Sequence, residues 1–376
     1  MSTITTRAAI ARGPHIGWEL ADLTLDEPKA HEVRVKFYAA GLCHSDNHIT
    51  KGDARPRFPI VGGHEGAGIV ESVGPDVRRV KPGDRLICSY IPACGACRPC
   101  STGHQNMCVK GLNAGTGMFL DGTFRFHLGD EDLGGFCTLG TFSQYAVVSE
   151  WACVPLIYDD IPWDVASLVG CGVPTGWGSA VHAAGVRAGD TVVIFGAGGV
   201  GSNAVQGARY AGAKNVIVVD PVAFKRETAT GVFGATHAFA TAKEANDFVV
   251  ETTWGQLADH VICTPDAVTE DIVSAAVAMT GKGGKVTITA VGHINEHAVH
   301  VPGGMLIGYQ RQIRGALFGD SNPLYDIPML LGLYRSGDLK LNELISRRYQ
   351  LDQINQAYKD LEEGKNIRGV IIHEEG

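Results

Sequence analysis

Four cysteines fall within fifteen residues, spaced Cys94-x2-Cys97-x2-Cys100-x7-Cys108. Thiolates at this spacing make a tetrahedral zinc site, and Gly95 and Pro99 between them suit the turns that wrap a chain around one ion. Two other readings stand beside it. Free surface thiols at this density would be an oxidation liability, and a C-x-x-C redox pair lacks the flanking thioredoxin-like strand and helix. Four cysteines leave no open coordination position, so a zinc held here would shape a loop lobe and do no chemistry.

A second constellation is dispersed. GLCHSDNHITKGD carries Cys43, His44, Ser45, Asp46 and His48; GGHEGAGIVESVGP carries His64 and Glu65; LVGCGVPTGWG carries Cys171. A Cys, His, Cys set leaves the fourth zinc position open to water or substrate, as catalysis requires. Their separation makes spacing weak evidence, and Cys171 by itself reads as a buried cysteine. The neighbouring residues strengthen the catalytic reading. Asp46 suits the support of the His64 imidazole, and Ser45 with His48 could pass a proton from a buried oxygen to solvent. Taken alone, His48 also reads as an ordinary surface histidine.

The third motif lies in GDTVVIFGAGGVGSNAVQGARYAGAKNVIVVD, residues 189–220. Thr191 to Phe195 reads as a buried parallel strand. Gly196, Gly198, Gly199, Val200 and Gly201 form the G-x-G-x-x-G turn into a helix, and a second strand, Asn215 to Val219, ends at Asp220. Strand, turn, helix and terminal acid together make a dinucleotide site: the glycines let the backbone approach a pyrophosphate at the helix N-terminus. Asp220 would bind the adenosine ribose hydroxyls and repel a 2′-phosphate, which favours NAD over NADP.

Elements must position these groups. Further alternation follows at 259–264, a helix around 266–280, 283–291 and a last strand at 311–319, which fills a doubly wound parallel sheet. The earlier chain, with segments such as HEVRVKFYAAGL and AGIVESVGP, reads as antiparallel-rich. The 376 residues suffice for two domains. A net charge of -8 without a block of like charges argues against a nucleic-acid or anionic-membrane surface. The N-terminus lacks an apolar signal region and no stretch is apolar enough to span a bilayer, so a soluble cytoplasmic protein is expected. Disulfides are rare in that compartment, so the ten cysteines call for metal ligation or burial. Cys88, Cys137, Cys153 and Cys263 read as buried.

Together GHEGAGIVESVG, the four-cysteine lobe, GCGVPTGWG and GAGGVG occur in the order found in the zinc-dependent alcohol dehydrogenases of the medium-chain dehydrogenase/reductase family, which the whole chain resembles. The resemblance implies an α/β protein. A GroES-like catalytic domain would be built from 1–174 and 316–376, with the zinc lobe at about 90–112, and a Rossmann domain would be inserted at 175–315. It implies two zinc ions per subunit and NAD(H), with Cys43, His64 and Cys171 on the catalytic zinc and Glu65 as an alternate ligand. Ser45 and His48 match the proton relay. Thr175 matches a residue near the nicotinamide, Asp220 and Lys225 the adenosine-ribose contacts, and Arg368 a pyrophosphate contact. His44 stands where many relatives have arginine.

Two subgroups are similar. GWELADLTLDEPKAHEVRVKFYAAGLCHSD and SYIPACGACRPCSTGHQNMC resemble the nicotinoprotein, dimethylnitrosoaniline-dependent alcohol dehydrogenases, in which NAD(H) stays bound and is recycled in place by a second substrate or an external redox partner. The thiol-adduct formaldehyde dehydrogenases share the long segment 112–140 but typically lack a histidine at position 48. A non-catalytic scaffold, like the family's crystallin-like relatives, commonly loses catalytic ligands that this chain retains. The substrate is expected to be a small alcohol or aldehyde; its pocket would be drawn from 112–140, Trp177 and Phe318, each of which reads equally well as a plain packing residue. A homodimer or homotetramer would form through strands near 295–318.

Overall fold

The computed structural model describes residues 3–54, 56–292 and 301–373. Two compact units divide the chain. The first comprises Met1–Cys171, Asn322–Ser336 and Ile345–Gly376; the second comprises Gly172–Ser321 and Gly337–Leu344.

In the first unit, strands Ile4–Ala11, Glu19–Leu25, Phe126–Leu128, Glu131–Gly135 and Ile60–Val61 close into a barrel. Beside it runs a larger sheet centred on Glu32–Gly41, which pairs antiparallel with Gly66–Val73, Tyr145–Ser149 and Arg368–Ile372. That central position explains why nearly every residue of Glu32–Gly41 is buried. The last pairing also brings the C-terminal strand onto the residues that precede Cys43.

The second unit holds a six-stranded sheet, paired in parallel throughout, in the order His237–Phe239, Asn215–Val219, Thr191–Phe195, Ala258–Cys263, Thr280–Ile288 and Gln312–Gly315. This is a doubly wound order, with its switch point beside Thr191–Phe195, the strand that feeds the glycine turn. TVVIF is buried at all five positions, as a β-branched run flanked by strands on both sides should be. The outer strand His237–Phe239 has no counterpart in the sequence reading, because three half-buried residues carry too little pattern.

The unit boundaries fall at 171/172 and 321/322, a few residues from the expected 174/175 and 315/316. The reason at the first is packing of helix Gly172–Gly178 onto helix Gly199–Tyr210. A Cβ on Gly176 would sit 2.0 Å from the Val200 carbonyl, and one on Gly207 2.9 Å from the Trp177 carbonyl. Residues 337–344 return to this unit because the Gln206 side chain bonds both the N–H (2.8 Å) and the carbonyl (3.1 Å) of Lys340. Part of the segment expected at a subunit interface, 293–300, lies outside the described residues; Gln312–Gly315 is the sheet's outer strand. Among the described residues, no helix is long and apolar enough to cross a membrane.

Candidate active site

Cys43 caps the N-terminus of helix His44–Lys51. His64 follows the short strand Ile60–Val61 through Gly62 and Gly63. Gly63 has φ +88°, and a Cβ there would lie 2.5 Å from the Phe142 nitrogen, so a side chain is excluded. Gly170 lets Cys171 approach in the same way, since its Cβ would meet the Cys88 carbonyl at 2.3 Å. The result is convergence. One ligand atom each from Cys43, His64, Glu65 and Cys171 lies within 4.8 Å of the others.

The surroundings fix the ring of His64. Its Nδ1 lies 2.9 Å from Asp46 Oδ2, and the other Asp46 oxygen accepts the Gly63 N–H at 2.8 Å. Tyr90 and Phe136 present their rings edge-to-face to the imidazole at 5.7 and 5.3 Å. Phe136 comes from the 112–140 segment singled out in the sequence. Asp46 is wholly buried, as the sequence reading of its role demands.

Electrostatically this is a cation site. Burial pulls the His64 imidazole down, but the charges of Asp46 and Cys43 outweigh it and raise the group well above the usual histidine range. The hydrogen bond from Cys171, helped by His64, holds the Cys43 thiol well below its ordinary value, and the same bond pushes Cys171 up. Two sulfurs and a buried nitrogen at these separations fit a tetrahedral zinc, with bonds of roughly 2.0–2.3 Å. Glu65 supplies a carboxylate beside them. It is paired with Arg368, whose Nη2 also donates to the Leu42 carbonyl at 3.0 Å. Burial pushes the Glu65 carboxyl up to about 7 against the pull of that arginine.

Ser45 and His48 occupy the same helix, three residues apart and therefore on one face. Ser45 Oγ lies 3.6 Å from Cys43 Sγ. His48 is buried, not a surface histidine, and its Nδ1 lies 2.8 Å from Asp53 Oδ2. Sequence reasoning missed Asp53; the signal was an acid one residue past the helix-ending Gly52.

The four-cysteine lobe is also drawn together, with all four Sγ atoms within 4.8 Å and Cys97 3.9 Å from Cys108. That is the edge of a tetrahedron with ~2.3 Å metal–sulfur bonds, and far longer than a disulfide of ~2.05 Å. Backbone N–H groups of Cys94 and Cys97 point at the sulfurs of Cys108 and Cys94, 3.4 Å away in each case. The Cys100 N–H draws the Cys97 thiol down to about 6. Arg79 ties the lobe to the sheet through the carbonyls of Ala93 and Trp151.

In the second unit, Gly196 has φ +90° and a Cβ on Gly201 would sit 1.9 Å from the Gly196 carbonyl. Among the described residues no side chain caps the helix that starts at Gly199, which suits its first N–H groups to an anion. A Cβ on Gly198 would meet nothing within 4 Å among the described residues, which makes that position an open cradle. Asp220 accepts the Ala197 and Val222 N–H groups, one on each oxygen, both at 2.8 Å. Val200 is the second residue of that helix, Thr175 lies in helix Gly172–Gly178, and Lys225 lies in helix Ala223–Gly231. Trp177 and Phe318, expected at a substrate pocket, are almost fully buried; Trp177 packs on Tyr210 at 5.1 Å. Cys88, Cys153 and Cys263 are buried, and Cys137 is partly so.

Comparison with known proteins matches residues 29–158 to the alcohol dehydrogenase GroES-like domain and 199–333 to the zinc-binding dehydrogenase domain. The chain is 53% identical over 368 residues to an NDMA-dependent alcohol dehydrogenase of Amycolatopsis methanolica, covering 98% of this chain and 99% of that one. It is 38% identical to an S-(hydroxymethyl)glutathione dehydrogenase of Saccharomyces cerevisiae, covering 98% and 96%. Among solved structures, the benzyl alcohol dehydrogenase of Acinetobacter calcoaceticus superposes with a TM-score of 0.91 at 28% identity, covering 99% of this chain and 100% of that one.

Proposed function

The chain belongs to the zinc-dependent alcohol dehydrogenases of the medium-chain dehydrogenase/reductase family, and we propose that within it this enzyme keeps its NAD(H) bound and recycles it in place. It catalyses the reversible oxidation of an alcohol to an aldehyde or ketone with an NAD-type cofactor. The observation that carries the site assignment is the convergence of Cys43, His64, Glu65 and Cys171 within 4.8 Å. Cys43, His64 and Cys171 would hold the catalytic zinc, with Glu65 as an alternate ligand, and Cys94, Cys97, Cys100 and Cys108 the structural one. When bound, the zinc supplies Lewis acidity toward the substrate oxygen, and the nicotinamide accepts the hydride.

The chain's own residues do the rest. Asp46 holds the His64 ring in the orientation its place among the thiols requires. Arg368 offsets the Glu65 charge in the buried wall. Ser45 takes the hydroxyl proton of the substrate and His48 carries it onward. Gly196, Gly198, Gly199, Val200 and Gly201 bring backbone to the pyrophosphate, and Asp220 binds the ribose hydroxyls. His44, Thr175, Lys225 and Arg368 are assigned as further cofactor contacts on family resemblance. The enzyme would work in the cytoplasm as a homodimer or homotetramer and hand its electrons to an external redox partner.

Cofactor retention is tested by gel-filtering the purified enzyme without added cofactor, denaturing it and measuring NAD(H) released per chain. Near-stoichiometric release supports recycling in place. Near-zero release, with activity restored by added NAD, contradicts it. Formaldehyde oxidation that requires a low-molecular-weight thiol would favour the thiol-adduct activity instead.

A further inference from the structure

His48 is held from behind by a carboxylate. Helix His44–Lys51 ends at Gly52, which adopts φ +83°, a left-handed turn that favours glycine. A Cβ there would also lie 3.1 Å from Pro14 Cβ. The turn folds the next residues back along the last helical turn. The Ala54 N–H bonds the His48 carbonyl at 3.0 Å, and Asp53 Oδ2 comes within 2.8 Å of His48 Nδ1. Backbone and side chain therefore fasten residues 53–54 to the His48 turn. The imidazole is almost completely buried and the carboxylate mostly so, which strengthens the bond and restricts the ring.

We propose that Asp53 is a positioning residue for the proton transfer, holding the His48 ring in one orientation and one tautomer. The proposal rests on the reading of His48 as the relay base. A carboxylate only accepts, so Nδ1 carries the hydrogen and Nε2 is the basic nitrogen. In alcohol oxidation, Nε2 takes the proton delivered through Ser45, and the ring becomes a cation hydrogen-bonded to the Asp53 carboxylate. Loss of the Nε2 proton to water restores the neutral ring, so one proton enters and one leaves while Nδ1–H stays in place. Without Asp53 the ring loses the acceptor that fixes its Nδ1–H, and a smaller fraction of the enzyme then presents its basic nitrogen correctly.

The test compares steady-state alcohol oxidation by the full-length holoenzyme and its D53N, D53E, H48Q and H48Q/D53N variants. D53N should lower kcat by about tenfold, less than the ~10²–10⁴-fold that a positioned base itself supplies because His48 remains, and leave the alcohol KM within about twofold. D53E should restore most of the rate, and D53N should add nothing further in the H48Q background. If D53N slows the H48Q enzyme as much as the wild type, or slows neither, Asp53 does not act through His48 and the proposal fails alone. If H48Q turns over like the wild type, the relay reading fails and takes the proposal with it. Nitrogen NMR of the wild-type enzyme labelled in histidine, with His48 assigned from H48Q, does not require D53N to fold. A protonated Nδ1 supports the arrangement and a protonated Nε2 with a bare Nδ1 overturns it.

Discussion

Glu65 and Arg368 lie 303 residues apart in the chain and meet as a buried ion pair beside Cys43. Gly41 makes room for them: a Cβ there would lie 2.0 Å from the Glu65 carboxylate and 3.0 Å from the guanidinium. Removing one partner from such a pair leaves an uncompensated buried charge, at a cost of about 3–5 kcal/mol, whereas removing both costs much less. R368M should therefore lower the thermal midpoint more than E65Q/R368M does. A double variant as unstable as the single one would show that the pair is not the source of the loss.

Asp46 sets the His64 ring, and its replacement should weaken zinc retention without removing a ligand. Loss of such a supporting carboxylate typically costs about 10–100-fold in metal affinity. D46N should give up one zinc per chain to a chelator at a concentration that leaves the wild type loaded. Equal retention would take Asp46 out of this role.

His373 carries a pH dependence independent of the metal sites. It is buried, and burial holds its imidazole down at about 4, while the ring's Nε2 is paired with the Thr141 carbonyl at 3.1 Å. The unfolded chain binds a proton here near the ordinary value of 6.5, and the folded chain does not until about 4. The unfolded state thus holds more protons between those values, and stability falls as pH drops from about 6.5 toward 4, by on the order of 3 kcal/mol at most. H373Q, which can still donate to Thr141, should show a shallower loss of thermal midpoint between pH 6.5 and 5. An unchanged slope would assign the acid sensitivity elsewhere.

Two glycines of the dinucleotide turn should respond differently. Alanine at Gly201 collides with the Gly196 carbonyl, so G201A should lower both the stability and the bound dinucleotide. Alanine at Gly198 meets nothing within 4 Å among the described residues and its φ is -75°, so G198A should keep the thermal midpoint of the cofactor-stripped enzyme yet lose dinucleotide affinity. If G198A binds NAD(H) as tightly as the wild type, the pyrophosphate does not pass over this turn.

What was legible in the sequence followed from local physics. Thr191–Phe195 and Asn215–Val219 are built mainly of buried β-branched residues, and the strands match these runs residue for residue. The four-cysteine lobe was legible because its ligands lie on one loop. Less legible were the relations made by chain return. Asp53 reaches His48 only through the left-handed Gly52, and the Glu65–Arg368 pair depends on the C-terminal strand lying against Glu32–Gly41. Arg368 was expected at a pyrophosphate on resemblance alone; its engagement by Glu65 and the Leu42 carbonyl has no trace in the local sequence. For Trp177 the sequence leaves pocket lining and plain packing equally open; its helix is pressed against Gly207 and the ring is buried, the packing arrangement.

On this reading the chemistry sits on Cys43, His64 and Cys171, while the four-cysteine lobe only shapes the fold. Zinc content and dye-coupled alcohol oxidation of C43A, measured on the same purified sample, test it most directly. C43A should remain folded, lose one zinc per chain and fall to background turnover, whereas C97A should lose solubility or thermal stability first. A C43A enzyme that retains both zincs, or that oxidises alcohol at the wild-type rate, would place the chemistry elsewhere.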